Sequence, residues 1–305
     1  MRSPHTEYWR SEWIVGHSDI GRKRPSRRSR CHLNPGCNAS PKATSGATRR
    51  TRSARRAFSS QVVNRNSRIC YHLHVLIRRL GFFDFKDDCR NPLTLLVDEL
   101  TRKNKSELQG TLLVLPEALN LGRPYYGSTG VPSIPAGDVL KCLKIHAVEC
   151  EMMFVASLLS EGYSEAYWVD PEHSPELMCQ EAMPDDSQTY QCGRVDVGRN
   201  PIDRYGACVG ALICRDSFVI NSTPAACQRR QAVIEKILES EGHRIMCVPA
   251  TASLDFILQM GGMWCVLASR GDQPSFVKDP QNTEISKPGL RGTVQIVDLR
   301  PARSV

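Results

Sequence analysis

From Ser67 onward, short apolar runs alternate with amphipathic stretches, and the two repeats involved, two residues for a strand and 3.6 for a helix, predict the elements. Ile69 to Ile77 is predicted as a first strand. Asn91 then Pro92 is a cap followed by a first-turn proline, and Leu93, Leu96, Val97 and Leu100 recur at i, i+3, i+4 and i+7, which predicts a helix from Pro92 to Lys103. A strand from Thr111 to Leu115 ends at Pro116-Glu117. A helix from Asp138, as its cap, to Glu149 precedes a strand from Met152 to Leu159, with which Ala166 to Val169 pairs. Ala207 to Cys214 is a further apolar strand, and Thr223-Pro224 opens a helix carrying Val233, Ile234, Ile237 and Leu238 until Gly242 stops it. Strands at Ile245 to Val248, Trp264 to Ala268, Ser275 to Val277 and Thr293 to Val297 complete the series. Strand and helix alternate with no fixed repeat, the pattern of an α/β domain whose helices cover a sheet.

Before Ser67 the pattern vanishes. Residues 1–66 hold 15 Lys and Arg against Glu7, Glu12 and Asp19, a net of +12, whereas residues 67–305 carry a net of −4. No carboxylate occurs from Ile20 to Phe83, and Gly21 to Ser60 offers little to bury, so residues 1–66 are expected to be a disordered basic segment and residues 67–305 the folded domain. Three roles suit such a head. It is Arg- and Ser-rich like an organellar transit peptide, with Arg55 to Ser60 as a processing site; it is basic enough to touch nucleic acid through phosphates; or it is a solvated or mis-assigned start with no role. The compartment follows from the choice: cytoplasmic, or organellar if residues 1–60 are a leader.

Composition narrows the rest. With 305 residues, 41% hydrophobic and 24% charged, the chain can bury a real core, which excludes collagen-like, coiled-coil and wholly disordered readings. The uncharged stretch from Phe256 to Ser269 spans 14 residues, too short for a bilayer, and no apolar run near the start suits a secretory signal. The 13 cysteines are odd in number, scattered from Cys31 to Cys265 and include no Cys-x-x-Cys pair, and are read as reduced thiols of an intracellular protein. No metal-ligand spacing stands out: His72 and His74 alternate on one predicted strand and the other histidines are dispersed.

Two strand ends carry the candidate chemistry. Leu112-Leu113-Val114-Leu115-Pro116-Glu117 delivers a carboxylate at its carboxyl end, and Gly210-Ala211-Leu212-Ile213-Cys214-Arg215-Asp216 delivers a thiol at the same kind of place, where ligands collect in open α/β sheets. A carboxylate beside a thiol can take its proton during attack, because the thiolate is the nucleophile. Separately, such residues have plain structural readings: Pro-Glu as a cap or surface ion pair, Cys as core.

The order in which these motifs fall, with Cys247-Val248-Pro249-Ala250 after the next helix, Ser275 to Pro280 as a late hairpin and a closing strand from Thr293 to Leu299, resembles the carbon–nitrogen hydrolase (nitrilase) superfamily over about Ile69 to Leu299. The resemblance implies a four-layer α-β-β-α sandwich and a Glu-Lys-Cys triad that needs no cofactor or metal. Glu117 matches the general base and Cys214 the nucleophile. The lysine is expected in a turn after Tyr167 to Asp170, yet that text reads Pro171 to Glu176, and no lysine occurs between Lys144 and Lys236. Arg194 and Arg199 are the candidate substitute cations, with solvated loop arginine as the plain reading. Lys141 and Lys144 are read as the outer face of a helix. Asp216 and Asn91 also match family positions, the first expected to accept backbone N–H bonds in the turn after Cys214, the second to cap. Arg123, Tyr125 and Tyr126, with Asp216, are expected to line the pocket for a small amide or nitrile, and the resemblance implies a homo-oligomer. Two readings follow: a hydrolase of non-peptide carbon–nitrogen bonds working through a cysteine thioester, or a catalytically impaired relative that keeps the fold as a binding or assembly module. Deletion of residues 1–66 is expected to leave a soluble, folded domain by gel filtration and circular dichroism; an aggregated product would refute the boundary.

Overall fold

Alternation along the central strands decides the architecture. The structure is a computed structural model. It describes residues 75–85, 91–121, 134–182, 193–194, 197–217, 224–251, 261–270, 274–286 and 292–299. The chain divides into two units, Met1–Ser67 and Arg68–Val305, and every described residue lies in the second. The basic head, Arg123, Tyr125 and Tyr126 lie outside the described residues.

In β1 (Arg79–Asp84), β2 (Thr111–Val114) and β3 (Met153–Ser160), Leu80, Phe82, Leu112, Val114, Met153 and Val155 point to one face. Phe83, Leu113, Phe154 and Ala156 point to the other. The second face meets Leu96 and Leu100 of α1 (Pro92–Arg102), Leu108 of the short α2 (Lys105–Leu108), and Val139, Leu143 and Ala147 of α3 (Ala136–Cys150). Strands buried on both faces show no polar alternation, which is why they read as continuous apolar runs.

Beyond β3 come β4 (Tyr163–Val169) and β5 (Glu176–Gln180), then β6 (Ile202–Arg204) and β7 (Ala207–Ala211), a 3-10 turn at Cys214–Ser217, and α4 (Pro224–Glu239). β8 (His243–Ala250), β9 (Trp264–Ser269), β10 (Phe276–Lys278) and β11 (Thr293–Asp298) close the order. The described strands form a six-stranded sheet, β11-β1-β2-β3-β4-β5, and a five-stranded sheet, β10-β9-β8-β7-β6. Val209, Ala211, Ile245, Cys247 and Val266 of the second sheet join the first sheet's inner face in one core, as in aligned sheet-on-sheet packing. On its outer side α4 lays Val233 and Ile237 over Gly210, where an added Cβ would stand 2.7 and 2.5 Å from those side chains. Helices, sheet, sheet and helix therefore make a four-layer α-β-β-α sandwich. No helix among the described residues is long and apolar enough to cross a membrane.

Some boundaries differ from the sequence reading. The first described strand is Arg79–Asp84, not Ile69 to Ile77: residues 75–78 are outside any element, and Ile69 to His74 lie outside the described residues. The paired arginines Arg78 and Arg79 masked its start, yet Arg79 donates to the Ser106 and Glu107 carbonyls and Asp298, while Leu80 to Phe83 fill the centre of the sheet. Helix α3 begins at Ala136 with Pro135 as its cap, and Asp138 sits in the first turn, where its charge suits the helix dipole and Lys141 pairs with it at 3.0 Å. The strand read as Ala207 to Cys214 ends at Ala211, because the chain bends sharply at Cys214. Strands β5 and β6, too short and too polar to show a period, were not expected. Asn91 caps α1, its Oδ1 accepting the Leu93 N–H at 2.9 Å. Gly210→Val is expected to cost about 1–3 kcal/mol through overpacking of α4 on β7, read by denaturant unfolding.

Candidate active site

Five side chains reach one place because of strand direction. Strands β1, β2 and β3 run parallel, as do β7, β8 and β9, so the carboxyl ends of each set lie together. The N–H of Glu117 donates to Ala250 O at 3.4 Å, which brings the end of the β2 segment against the end of β8 in the other sheet. Strand β4 runs antiparallel to β3, so its first residues stand at that same end, and β5 turns back to finish there. Glu117 thus follows β2, Cys214 follows β7, Thr251 follows β8, Ser164 opens β4 and Glu181 follows β5.

Glu117 is 1% exposed. Its Oε1 accepts the Ser164 hydroxyl at 3.0 Å, and Ser164 Oγ is 3.4 Å from Ser157 Oγ. The backbone around it is fixed on both sides. Leu115 N donates to Val155 O at 2.9 Å, Leu119 N to Ser157 O at 3.0 Å, and the buried Arg270 guanidinium donates to Ala118 O at 2.6 Å and Leu121 O at 2.7 Å. Arg270 also stacks over the Phe85 ring, 5.5 Å from its centroid. Asn120 completes the turn, its amide bridging Leu159 N and O at 2.8 Å each.

Cys214 holds φ +40°, in the left-handed region that a side chain with Cβ occupies only when its surroundings impose it. Leu212 N still donates to Cys247 O at 3.0 Å; the chain then bends, Asp216 N bonds Ile213 O at 2.9 Å, and Ser217 Oγ bonds Cys214 O at 2.5 Å. The bend aims Sγ at the end of β8, 3.7 Å from Thr251 Oγ1. Burial, with the charges of Glu117 and Glu181 beside it, pushes the Cys214 thiol well above its ordinary value against the hydrogen bonds from Thr251. Such a surrounding favours the protonated thiol, and a thiol in that form acts as a nucleophile only where a base takes its proton. Burial likewise raises Glu117, opposed by hydrogen bonds from Ser164, Cys214 and Thr251.

Arg199 is exposed and lies 3.6 Å from Glu176, and Arg194 is exposed, its N–H donating to Gln180 Oε1 at 3.1 Å. The turn after Asp170 is the β4–β5 hairpin, tied down by Lys144 Nζ donating to Asp170 O and His173 O at 2.7 Å each; Lys144 thus has a partner and is not merely an outer-face charge. Asp216 reaches beyond its own turn. Its carboxylate receives Ala182 N–H at 2.9 and 3.0 Å and Arg229 at 3.3 Å, and so joins the end of β5 to α4.

Sequence reasoning missed Ser164, Glu181, Arg229 and Thr251. Thr251 directly follows the quoted Cys247 to Ala250 strand and was open to the strand-end argument used for Cys214. Arg229 is buried in α4 and donates to Gln180 O, Arg194 O and Asp216. Burial acts most strongly on Cys214, Glu117 and Glu181, followed by neighbouring acids and hydrogen-bond donors.

A buried carboxyl and a buried thiol stand at the meeting edge of a two-sheet sandwich, and the solved structures agree on the fold: the chain has the fold of the nitrilase-superfamily amidases. An amidase from Nesterenkonia sp. superposes with a TM-score of 0.55 at 18% identity, covering 74% of this chain and 92% of that one. A variant of the Nesterenkonia sp. AN1 amidase whose active-site cysteine carries the acetamide moiety of fluoroacetamide matches with a TM-score of 0.54, 18% identity and coverages of 74% and 91%. Another, in complex with butyramide, matches with a TM-score of 0.55, 18% identity and coverages of 74% and 92%. That amidase is of the nitrilase superfamily. No protein-family model and no curated protein matches the chain. For the network behind the site, Arg229→Met leaves the buried Asp216 carboxylate without its cation and is expected to cost about 3–5 kcal/mol in denaturant unfolding. Adding Asp216→Asn is expected to restore part of that loss.

Proposed function

We propose that this chain hydrolyses carbon–nitrogen bonds of small carboxamides, with Cys214 as nucleophile and Glu117 as general base. One observation carries the reading: a buried carboxyl and a protonated thiol, delivered by strands of two different sheets, interact at one site, and the thiol sits on a residue bent to positive φ. The amide adducts and complexes of the Nesterenkonia amidase support the substrate class. Nitriles are the second class.

In this mechanism Glu117 takes the Cys214 proton as sulfur bonds to the carbonyl carbon, and the carbonyl π pair moves to oxygen. When the C–N bond breaks, the amine or ammonia leaves with the proton held by Glu117, and the acyl group remains as a thioester. Water, losing a proton to the same carboxylate, then attacks the thioester and releases the acid and the thiol.

A second reading, a binding module with no turnover, has one observation in its favour: no lysine occurs between Lys144 and Lys236, where the resemblance places the third member of the triad. Fluoroacetamide labelling and an amide and nitrile panel separate the two. Cys214→Ala is expected to lose labelling and hydrolysis together, and Glu117→Gln to lower kcat about 100- to 10,000-fold. Activity that survives both substitutions sinks the mechanism, whereas a silent wild type with an unreactive Cys214 favours the module.

A further inference from the structure

Glu181 is 2% exposed and stands among acids. Its backbone is fixed, N–H to Ser164 O and O from Gly193 N–H, both at 2.8 Å, so the side chain is held at the end of β5. Its carboxyl receives the Arg215 N–H, the first amide after Cys214, and interacts with the carboxyl of Glu117. Two oxygens are left over: Glu117 Oε2 and Glu181 Oε2 are both buried, and neither has a hydrogen-bond partner among the described residues. Two buried carboxyls that interact, each with an oxygen left unpartnered, are reconciled by a proton between them.

We infer that Glu181 is a neutral carboxylic acid sharing one proton with Glu117, and that its O–H binds the amide carbonyl oxygen as that oxygen becomes an oxyanion. The second half rests on the hydrolase reading above. Among the described residues, the groups that act most strongly on Glu181 are acids and a backbone N–H. From the strand ends and the 3-10 turn, Glu117, Asp216 and Cys214 face Glu181; from β4 and β5, Glu165 and Cys179 belong to the same cluster. Arg229 of α4 is committed to Asp216 and to the carbonyls of Gln180 and Arg194. Burial and the charges of Glu117 and Asp216 hold Glu181 well above the usual carboxylate range, while Ser164, Cys214 and Thr251 favour the ionised form of Glu117. The proton therefore resides on Glu181, and Glu117 keeps its role as base.

The step balances without a further reactant. The thiol proton passes to Glu117, which releases the shared proton wholly to Glu181; the S–C bond forms, and the carbonyl π pair becomes the oxyanion that the Glu181 O–H contacts. Collapse restores the carbonyl, the C–N bond breaks, and the nitrogen takes its proton from Glu117; Glu181 ends as it began. A carboxylic acid kept neutral to donate a hydrogen bond is an attested device in other oxyanion sites.

The test is a set of pH profiles with Glu181→Gln, which keeps a donor but cannot ionise, and Glu181→Ala, which keeps neither. Wild-type kcat/KM is expected to be bell-shaped, its limbs belonging to the pair of carboxyls. In Glu181→Gln the rate at neutral pH stays within about tenfold of wild type and the alkaline limb disappears, while Glu181→Ala falls about 100- to 1000-fold. A Glu181→Gln variant as slow as Glu181→Ala, or one that keeps the alkaline limb, overturns the inference. Thermal unfolding against pH needs no turnover. Glu181 is neutral when folded and ionises when unfolded above its ordinary value of 4.5, so the folded state binds the extra proton and wild-type stability falls relative to Glu181→Gln as pH rises. Parallel stability curves overturn the shared proton. Diverging curves with no hydrolysis of any amide leave the shared proton standing, and remove the hydrolase reading and the oxyanion role with it.

Discussion

The constraint on which the site depends is the removal of acid side chains from water at the edge where two sheets meet. Glu117, Glu181 and Asp216 are 1%, 2% and 0% exposed. An ionised carboxylate in such a place is expensive unless it is paired or becomes neutral. Each of the three meets the constraint differently: Asp216 with the Arg229 guanidinium and a backbone N–H, Glu117 with a hydroxyl, Glu181 with an amide N–H and burial of a neutral form. The differences separate their roles. On the proposed reading, one oxygen-rich cluster contains a structural anion, a base and an acid because three strand ends place the same functional group in three surroundings.

The sandwich exists to deliver those ends. Parallel pairing of β1 to β3 and of β7 to β9 collects carboxyl ends, and the antiparallel returns of β4 and β5 add two more residues at the same edge. Arg270 holds the turn after Glu117 through two carbonyls, and α4 packs closely enough on Gly210 to hold Arg229 against the back of the cluster. The positive φ of Cys214 is maintained by this frame rather than by its own residue type, since a Cβ disfavours that region.

How much of this the sequence displays depends on where each residue's signal lies. Glu117 and Cys214 are legible because each ends an apolar strand, and the layers are legible because buried parallel strands leave runs such as Leu112 to Leu115. Glu181 is hidden: it follows Glu176 to Gln180, a short strand with polar ends and no period, and 30 residues of β3, the β4 hairpin and β5 separate it from Cys150 at the end of α3. Arg229 reads as one of two adjacent arginines on a helix, and only the packing of α4 decides that its fork turns inward. Asp216 was legible as a site neighbour but not in its partner, because a contact 34 residues distant has no local pattern. The β1 boundary slipped for the opposite reason, since two arginines interrupt an apolar run that continues through Phe83.

An acid-lined site also constrains what passes through it. On the hydrolase reading, a carboxamide enters uncharged and meets one neutral acid and one carboxylate that already has hydroxyl donors, so binding it requires no cation. The product acid leaves as an anion, and like charge beside Glu117 and Asp216 opposes its retention. A lysine at this place would stabilise the oxyanion and the product carboxylate alike. A neutral carboxylic acid stabilises the oxyanion by hydrogen bonding without adding a full charge that holds the product, so the same proton that makes three buried carboxyls compatible with folding also separates binding of the transition state from binding of the product.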